Sequence, residues 1–398
     1  MPAKQIALLE QVAAANQNVV VVLSNGSVIT VAPWAKNAKG ILESWLLGQS
    51  GGPALADVIF GKVSPSGKLA QSIPLDISDD PSTLNWPGEE GHVDYGEGVF
   101  VGYRYYDTYG KVVDYPFGYG LSYTSFDWKV TDAAANGSAL TKDGNVTVKV
   151  TVTNTGDRAG KDVVQLYYTA PYTAGEIEKS SVELGAFAKT KELAPGESEE
   201  VTLTVPVSDM ASYDAYDANH NGFTGYELDA GDYIFTVRHD AHDVDDDANA
   251  TITCSLPAGV QYAEDTATGN AVSNKFTGSD AVDGVSLDGS DSDQNITYLT
   301  RADFADTFPK TNTPTRAMTD NVKALNLYTA DDANGWINDA DEVITTGAKN
   351  GLKIEDNGET TDLGFRLGSD FDDPRWDALL DQLTVDEMEN LYINAYGG

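Results

Sequence analysis

Val146-Thr147-Val148-Lys149-Val150-Thr151-Val152 alternates apolar and polar side chains without a break. A period of two places every valine on one face of an extended strand and every Thr or Lys on the other. A turn signal follows the run at Asn154-Thr155-Gly156. Working outward, residues 163–168, Val201-Thr202-Leu203-Thr204-Val205 and Asp232-Tyr233-Ile234-Phe235-Thr236-Val237 read as further strands, with another turn at Pro195-Gly196-Glu197. About seven short strands at this spacing predict an immunoglobulin-like β-sandwich over residues 129–257.

The 128 residues before the sandwich read differently. Ile6, Leu8, Leu9, Val12 and Ala13 recur at helical spacing, and Val19-Val20-Val21-Val22-Leu23 follows as a continuous apolar run before Ser24-Asn25-Gly26. Such a run suits a parallel strand buried on both faces. Helices are expected over residues 39–47 and 53–60, then loop to residue 123 with a short strand over residues 99–106. The fold class is therefore multidomain, α/β plus all-β. Residues 258–368, rich in Asp, Gly, Ser, Asn and Thr, read as an irregular linker or wrapping segment. Helical spacing returns in residues 369–398, where Thr384-Val385-Asp386-Glu387 is a capping box.

Composition narrows the function classes. The chain has 398 residues, 41% of them hydrophobic, and a formal net charge of −37. That field opposes nucleic acid and anionic membranes as partners, while a neutral sugar meets no Coulomb penalty near it. Cys254 is the single cysteine, so no intrachain disulfide forms. With no signal-peptide pattern at Met1 and no apolar run near the ~20 residues of a membrane span, a cytoplasmic location is the expectation.

Several passages resemble glycoside hydrolase family 3. They are residues 1–26; Gly48-Gln49-Ser50-Gly51-Gly52-Pro53-Ala54-Leu55-Ala56-Asp57 with Pro65-Ser66-Gly67-Lys68-Leu69; residues 95–107; and Pro116-Phe117-Gly118-Tyr119-Gly120. Asp162-Val163-Val164-Gln165-Leu166-Tyr167, Leu193-Ala194-Pro195-Gly196-Glu197 and Gly231-Asp232-Tyr233 resemble the fibronectin type III-like domain that accompanies it. The resemblance implies a partial α/β sandwich domain over residues 1–128, a fibronectin type III-like domain over 129–257, a linker over 258–368, and only the opening helices of a TIM barrel over 369–398. That is a permuted order and a fragment, because a barrel needs ~250 residues.

The resemblance also implies a β-glucosidase-like enzyme that removes terminal β-linked glucose with two carboxylates about 5 Å apart. Neither catalytic carboxylate is carried over to this chain, so as a fragment it is expected to be inactive. No cofactor and no metal are expected. Substrate-side candidates are Asp94, Tyr95, Glu97, Arg104 and Tyr105. Arg104 either hydrogen-bonds a sugar hydroxyl or pairs with a carboxylate, the second being commoner. The partner is an oligosaccharide or glycoside, and a homodimer is a candidate assembly. A second reading is a non-catalytic carbohydrate-binding or interaction module.

Three other motifs have plainer readings. Gly48-Gln49-Ser50-Gly51-Gly52 fits a G-x-S-x-G nucleophile elbow, with Asp57 and His92 as partners, but a helix over residues 39–47 denies it the preceding strand. Asp217-Ala218-Asn219-His220-Asn221-Gly222 matches the first half of a calcium loop, yet Glu227 falls one position early, so a polar turn is expected. His239 and His242 lie at a strand end, where residues three apart point to opposite faces, which argues against a metal.

Overall fold

The computed structural model describes residues 1–84, 95–265, 268–272, 298–303, 347, 374–384 and 387. The chain divides into two compact units, residues 1–323 and 324–398. In the second, helix α4 (Arg375–Leu380) is followed by the capping box, where Thr384 N donates to Glu387 Oε2 at 2.9 Å and Glu387 N to Thr384 Oγ1 at 3.2 Å. The rest of the expected barrel opening lies outside the described residues.

The first unit begins with α1 (Ala3–Ala15), β1 (Val20–Leu23), β2 (Gly40–Glu43) and α2 (Gly51–Ile59). Strands β1 and β2 pair in parallel, Val20 opposite Gly40 and Leu23 opposite Glu43. The helix expected over residues 39–47 is therefore a strand. Its four residues gain a full ladder against β1, and that tertiary pairing overrides a weak local helix preference. The valine run is buried on one face only. Leu9, Leu23, Val31, Trp34 and Ile73 form a core, while Val20 and Val22 are exposed.

The next elements are β3 (Ile73–Pro74), α3 (Tyr103–Tyr109) and β4 (Val113–Tyr115), β3 and β4 pairing antiparallel. The strand expected over residues 99–106 is thus a loop leading into a helix. Gly102 precedes α3 and Gly110 closes it in the left-handed conformation, φ 64°, the usual glycine stop. An aromatic run reads locally as strand, and here its outcome depends on the flanking glycines.

The all-β part holds β5 (Phe126–Asp132), β6 (Asn145–Asn154), β7 (Val163–Thr169), β8 (Glu183–Lys189), β9 (Ser198–Pro206), β10 (Ser212–Asp214), β11 (Gly225–Leu228), β12 (Gly231–Arg238), β13 (Thr251–Leu256) and β14 (Val260–Tyr262). One sheet runs β5-β6-β9 and the facing sheet β13-β12-β7-β8, all pairs antiparallel. Val146, Val148, Val150 and Val152 all point into the shared core against Leu166, Leu203, Phe235 and Ile252, as the alternation requires. A third sheet, β10-β11-β14, adds residues 260–262, past the boundary at 257 that composition suggested. No helix among the described residues is long and apolar enough to cross a membrane.

Polar bonds join the α/β layer to the sandwich. Lys68 Nζ reaches Asp162 Oδ1 at 3.2 Å and donates to Gly120 O at 2.9 Å, and Trp128 Nε1 donates to Asp162 Oδ2 at 3.0 Å. Tyr103 stacks on Phe117 with ring centroids 4.6 Å apart and meets Tyr167 edge-on.

Asn154, fully buried, closes the end of β6. Its amide donates to Arg158 O and Leu193 O at 2.7 and 2.8 Å, and its oxygen accepts from Gly156 N and Thr124 Oγ1. Replacing it strands several buried polar groups. Asn154→Leu is expected to lower unfolding free energy by about 2–4 kcal/mol, read as a lower urea midpoint at unchanged m-value; an unchanged midpoint would contradict this role.

Candidate functional site

Parallel α/β sheets bind ligands beyond the carboxyl ends of their strands. At that end of β1 and β2, Ser44 N and Oγ both donate to Leu23 O, the former at 3.0 Å. Glu43 Oε1 accepts from Trp45 N at 2.9 Å and Glu43 Oε2 from Asn25 Nδ2 at 3.3 Å, while Ser24 Oγ donates to Trp45 O at 3.2 Å. These bonds hold Trp45 at φ 49°, a left-handed conformation that costs a bulky residue roughly 1–3 kcal/mol. Strain of that kind gathers at functional positions. Beside it, Asn25 Oδ1 is buried with no hydrogen-bond partner, a placement suited to receiving a hydroxyl donor. A helix over residues 39–47 would hide this arrangement, so the sequence singled out neither Trp45 nor Asn25.

The same strand changes the case against Ser50. Strand β2, a loop and α2 do supply the strand-to-helix order that an elbow needs. The elbow also needs a sharp, strained turn at the nucleophile. Ser50 sits at φ −92°, ψ 14°, an ordinary conformation, and the strain lies at Trp45. His92 lies outside the described residues.

Asp94 also lies outside the described residues. Tyr95 is 71% exposed, and Glu97 is half-buried with its carbonyl accepting from Phe100 N at 3.0 Å. Arg104, half-buried on α3, has its guanidinium 5.9 Å from the Tyr103 ring centre. Burial works against its charge, but the fields of Glu183 and Tyr103 outweigh this and its pKa is raised. Arg104 Nε is buried with no hydrogen-bond partner. Tyr105 is fully buried among Phe100, Tyr106 and Leu299, with Tyr109 packed against them. Burial pushes its hydroxyl pKa well up, and its ring has no open face for a sugar. Helix α3, in place of the expected strand, turns this ring inward.

Residues 298–303 return to this region. Leu299 N donates to Gly96 O at 2.8 Å, Arg301 N donates to Glu178 Oε2 at 3.0 Å, and the Arg301 guanidinium lies 4.5 Å from the Tyr172 ring centre. The loop carrying Tyr95 and Glu97 is thereby tied to the sandwich.

The two histidines lie past the end of β12, in a turn closed by His239 N donating to Asp243 O. Each meets its own carboxylate: His239 Nε2 lies 3.1 Å from Asp245 Oδ2, and His242 Nδ1 contacts Asp107 Oδ1 on α3. Asp107 raises the His242 pKa, with Asp240 adding to it against burial and Arg238.

Residues 1–123 match the glycosyl hydrolase family 3 C-terminal domain and residues 162–241 the fibronectin type III-like domain. An exo-α-(1→6)-L-arabinopyranosidase of Bifidobacterium longum is 62% identical over 246 residues, which are 62% of this chain and 31% of that protein. Thermostable β-glucosidase B of Acetivibrio thermocellus is 40% identical over 244 residues, 61% of this chain and 31% of that protein. The crystal structure of a Bifidobacterium adolescentis family 3 β-glucosidase superposes with a TM-score of 0.57 at 52% identity, covering 67% of this chain and 37% of the other. The chain thus spans about a third of the length of the curated relatives it matches.

The His242–Asp107 pair ties α3 to the turn after β12, and its sign sets a pH dependence. A histidine whose folded pKa lies above its unfolded value of about 6.5 stabilises fully below that value. The contribution is lost as pH rises through the folded pKa. Unfolding free energy is expected to fall as pH increases across that window, and His242→Gln to remove that part of the slope in urea titrations at several pH values. Wild-type and variant slopes that coincide would count against the pair.

Proposed function

We propose that this chain, which carries the C-terminal and fibronectin type III-like domains of glycosyl hydrolase family 3, is part of a retaining exo-glycosidase. Its substrate is an oligosaccharide or glycoside ending in a pyranose whose glycosidic bond is equatorial. The observation that carries this reading is the 62% identity to an arabinopyranosidase beside 40% to a β-glucosidase. An α-L-arabinopyranoside and a β-D-glucopyranoside both leave through an equatorial bond in their common chairs, so one retaining mechanism serves both names. The higher identity favours the arabinopyranoside, and a β-glucoside is the second reading.

In this reading the domains are those expected: 1–128, 129–257, 258–368 and 369–398. The chain contributes positioning rather than the reacting carboxylates. Trp45 offers an indole face and Asn25 an acceptor at the strand ends. Tyr95 and Glu97, held by Leu299 through Gly96, line the substrate side.

A transplant tests the reading. The stretch of this chain that matches the Bifidobacterium longum enzyme replaces its counterpart there. The folded chimera is expected to release p-nitrophenol from the α-L-arabinopyranoside at least tenfold faster than from the β-D-glucopyranoside. A folded chimera without activity on either would overturn the assignment. The chain alone is expected to turn over neither substrate, and sugar binding without turnover in both proteins would favour a binding module.

A further inference from the structure

The turn between β10 and β11, residues 215–224, carries more negative charge than its surroundings balance. Asp214 and Glu227 are 2% and 3% exposed, and Asp229 is close by. Lys179 pairs with Asp229. Among the described residues no cation pairs with Glu227 in this way. Its Oε2 accepts from Asn221 Nδ2 at 2.6 Å, but its Oε1 is buried with no hydrogen-bond partner. Burial raises its pKa, and the fields of Asp214 and Asp229 add to the rise; Asn221 and Gln261, its cross-strand neighbour on β14, relieve it only in part. A carboxylate held in this way is costly unless something positive joins it.

The loop is shaped for that. Asp217 Oδ1 accepts from Asn221 N and Gly222 N at 2.8 and 2.9 Å, which curls residues 217–222 around its carboxylate. Asp217 and His220 both take positive φ, 56° and 52°. The curl brings two carboxamides onto the acidic groups: Asn219 Nδ2 donates to Asp229 Oδ1 at 2.8 Å, and Asn221 Nδ2 to Glu227. Asn219 N also donates to Asp214 Oδ2 at 3.3 Å. Among the described residues no three His, Cys, Asp or Glu side chains form a group able to hold a metal. A shell here must therefore draw on carboxamide and carbonyl oxygens as well. Calcium accepts six to eight oxygens in flexible geometry, carbonyls and carboxamides included, whereas zinc wants nitrogen or sulfur and magnesium a near-ideal octahedron.

We propose that the β10–β11 turn is a calcium site of the sandwich, with the buried Glu227 carboxylate as its anchor. Asp214 supplies the second carboxylate, and the carboxamide oxygens of Asn219 and Asn221, which accept from Ile177 N at 3.5 Å and Phe223 N at 2.9 Å, exchange those bonds for the cation when it enters. Asp217 shapes the loop and is not itself a ligand. Glu227 then stands one position short of the twelfth residue of a helix-flanked calcium loop for a structural reason: β11, not a helix, delivers it. Calcium would fasten β10, β11 and β14 together without touching the sugar-side residues.

The test uses the full 398-residue chain, stripped with EDTA and returned to calcium-free buffer. Millimolar calcium chloride is expected to raise the thermal midpoint by several degrees, and the same concentration of magnesium chloride by much less. Glu227→Gln keeps the shape and removes the charge. This variant is expected to be at least as stable as wild type without calcium and to lose the calcium response. Asp246→Asn, on the exposed turn before β13, should respond as wild type does. No calcium shift in wild type would overturn the site, as would a full shift retained in Glu227→Gln. An equal shift with magnesium would overturn calcium as its occupant.

Discussion

Gln165 is the constraint on which the first unit depends. Its carboxamide is almost fully buried and uses both ends. The nitrogen donates to Gly118 O at 3.1 Å and to His239 O at 2.7 Å, and the oxygen accepts from Tyr167 at 2.8 Å. One side chain on β7 therefore holds the last turn of the α/β layer and the turn after β12. The geometry leaves no room at Gly118, where a Cβ would stand 2.2 Å from the Gln165 oxygen, and φ there is 84°. A glycine is required on both counts. With that contact made, Phe117 lies under Tyr103, and Tyr103 reaches Leu184 N at 2.9 Å. The sandwich then serves as the rigid base on which α3 and the loop before it are set.

The two layers differ in how they are stabilised. The sandwich buries a continuous apolar core between seven strands. The α/β layer buries five side chains in its main core and leaves Leu8, Val12, Val20, Val22, Leu46, Leu47 and Phe60 exposed. A two-stranded parallel sheet has little stability of its own. Its register rests on Lys39 N donating to Val19 O, on Ser44 closing the ladder, and on the polar joint to the sandwich through Lys68 and Asp162.

Where the sequence was legible, one periodicity had one outcome. The valines of β6 could face only a core, and β7, β9 and β12 followed at the expected places. Where it failed, short segments answered to distant partners. Gly40-Ile41-Leu42-Glu43 is a strand only because β1 is beside it. The aromatic run at 100–106 is loop and helix because Leu299 and the flanking glycines make it so. The site suffered most from this. Tyr105 looked available and is core, while Trp45 and Asn25 passed unnoticed because their strained turn exists only once β2 does.

Charge links these observations. Against 62 acidic residues the chain has 25 basic ones, so the positions of its cations are informative. Several of the buried or half-buried ones sit at junctions. Lys68 joins the layers, Lys179 holds Asp229, Arg238 donates to Ala241 O beside the His242 turn, and Arg301 binds the returning segment. Isolated surface pairs such as Lys62–Asp57 add little by comparison, because water screens them. Asp162 has Lys68 and Trp128, and Asp240 has the backbone amides of His242 and Asp243. Glu227 has the carboxamides of Asn221 and Gln261 beside it, and its Oε1 is buried with no hydrogen-bond partner. Among the described residues Asp107 Oδ2 and Asp114 Oδ2 are also buried without a hydrogen-bond partner, but Glu227 alone of the three is nearly fully buried, and it lies in the fields of two further carboxylates, Asp214 and Asp229.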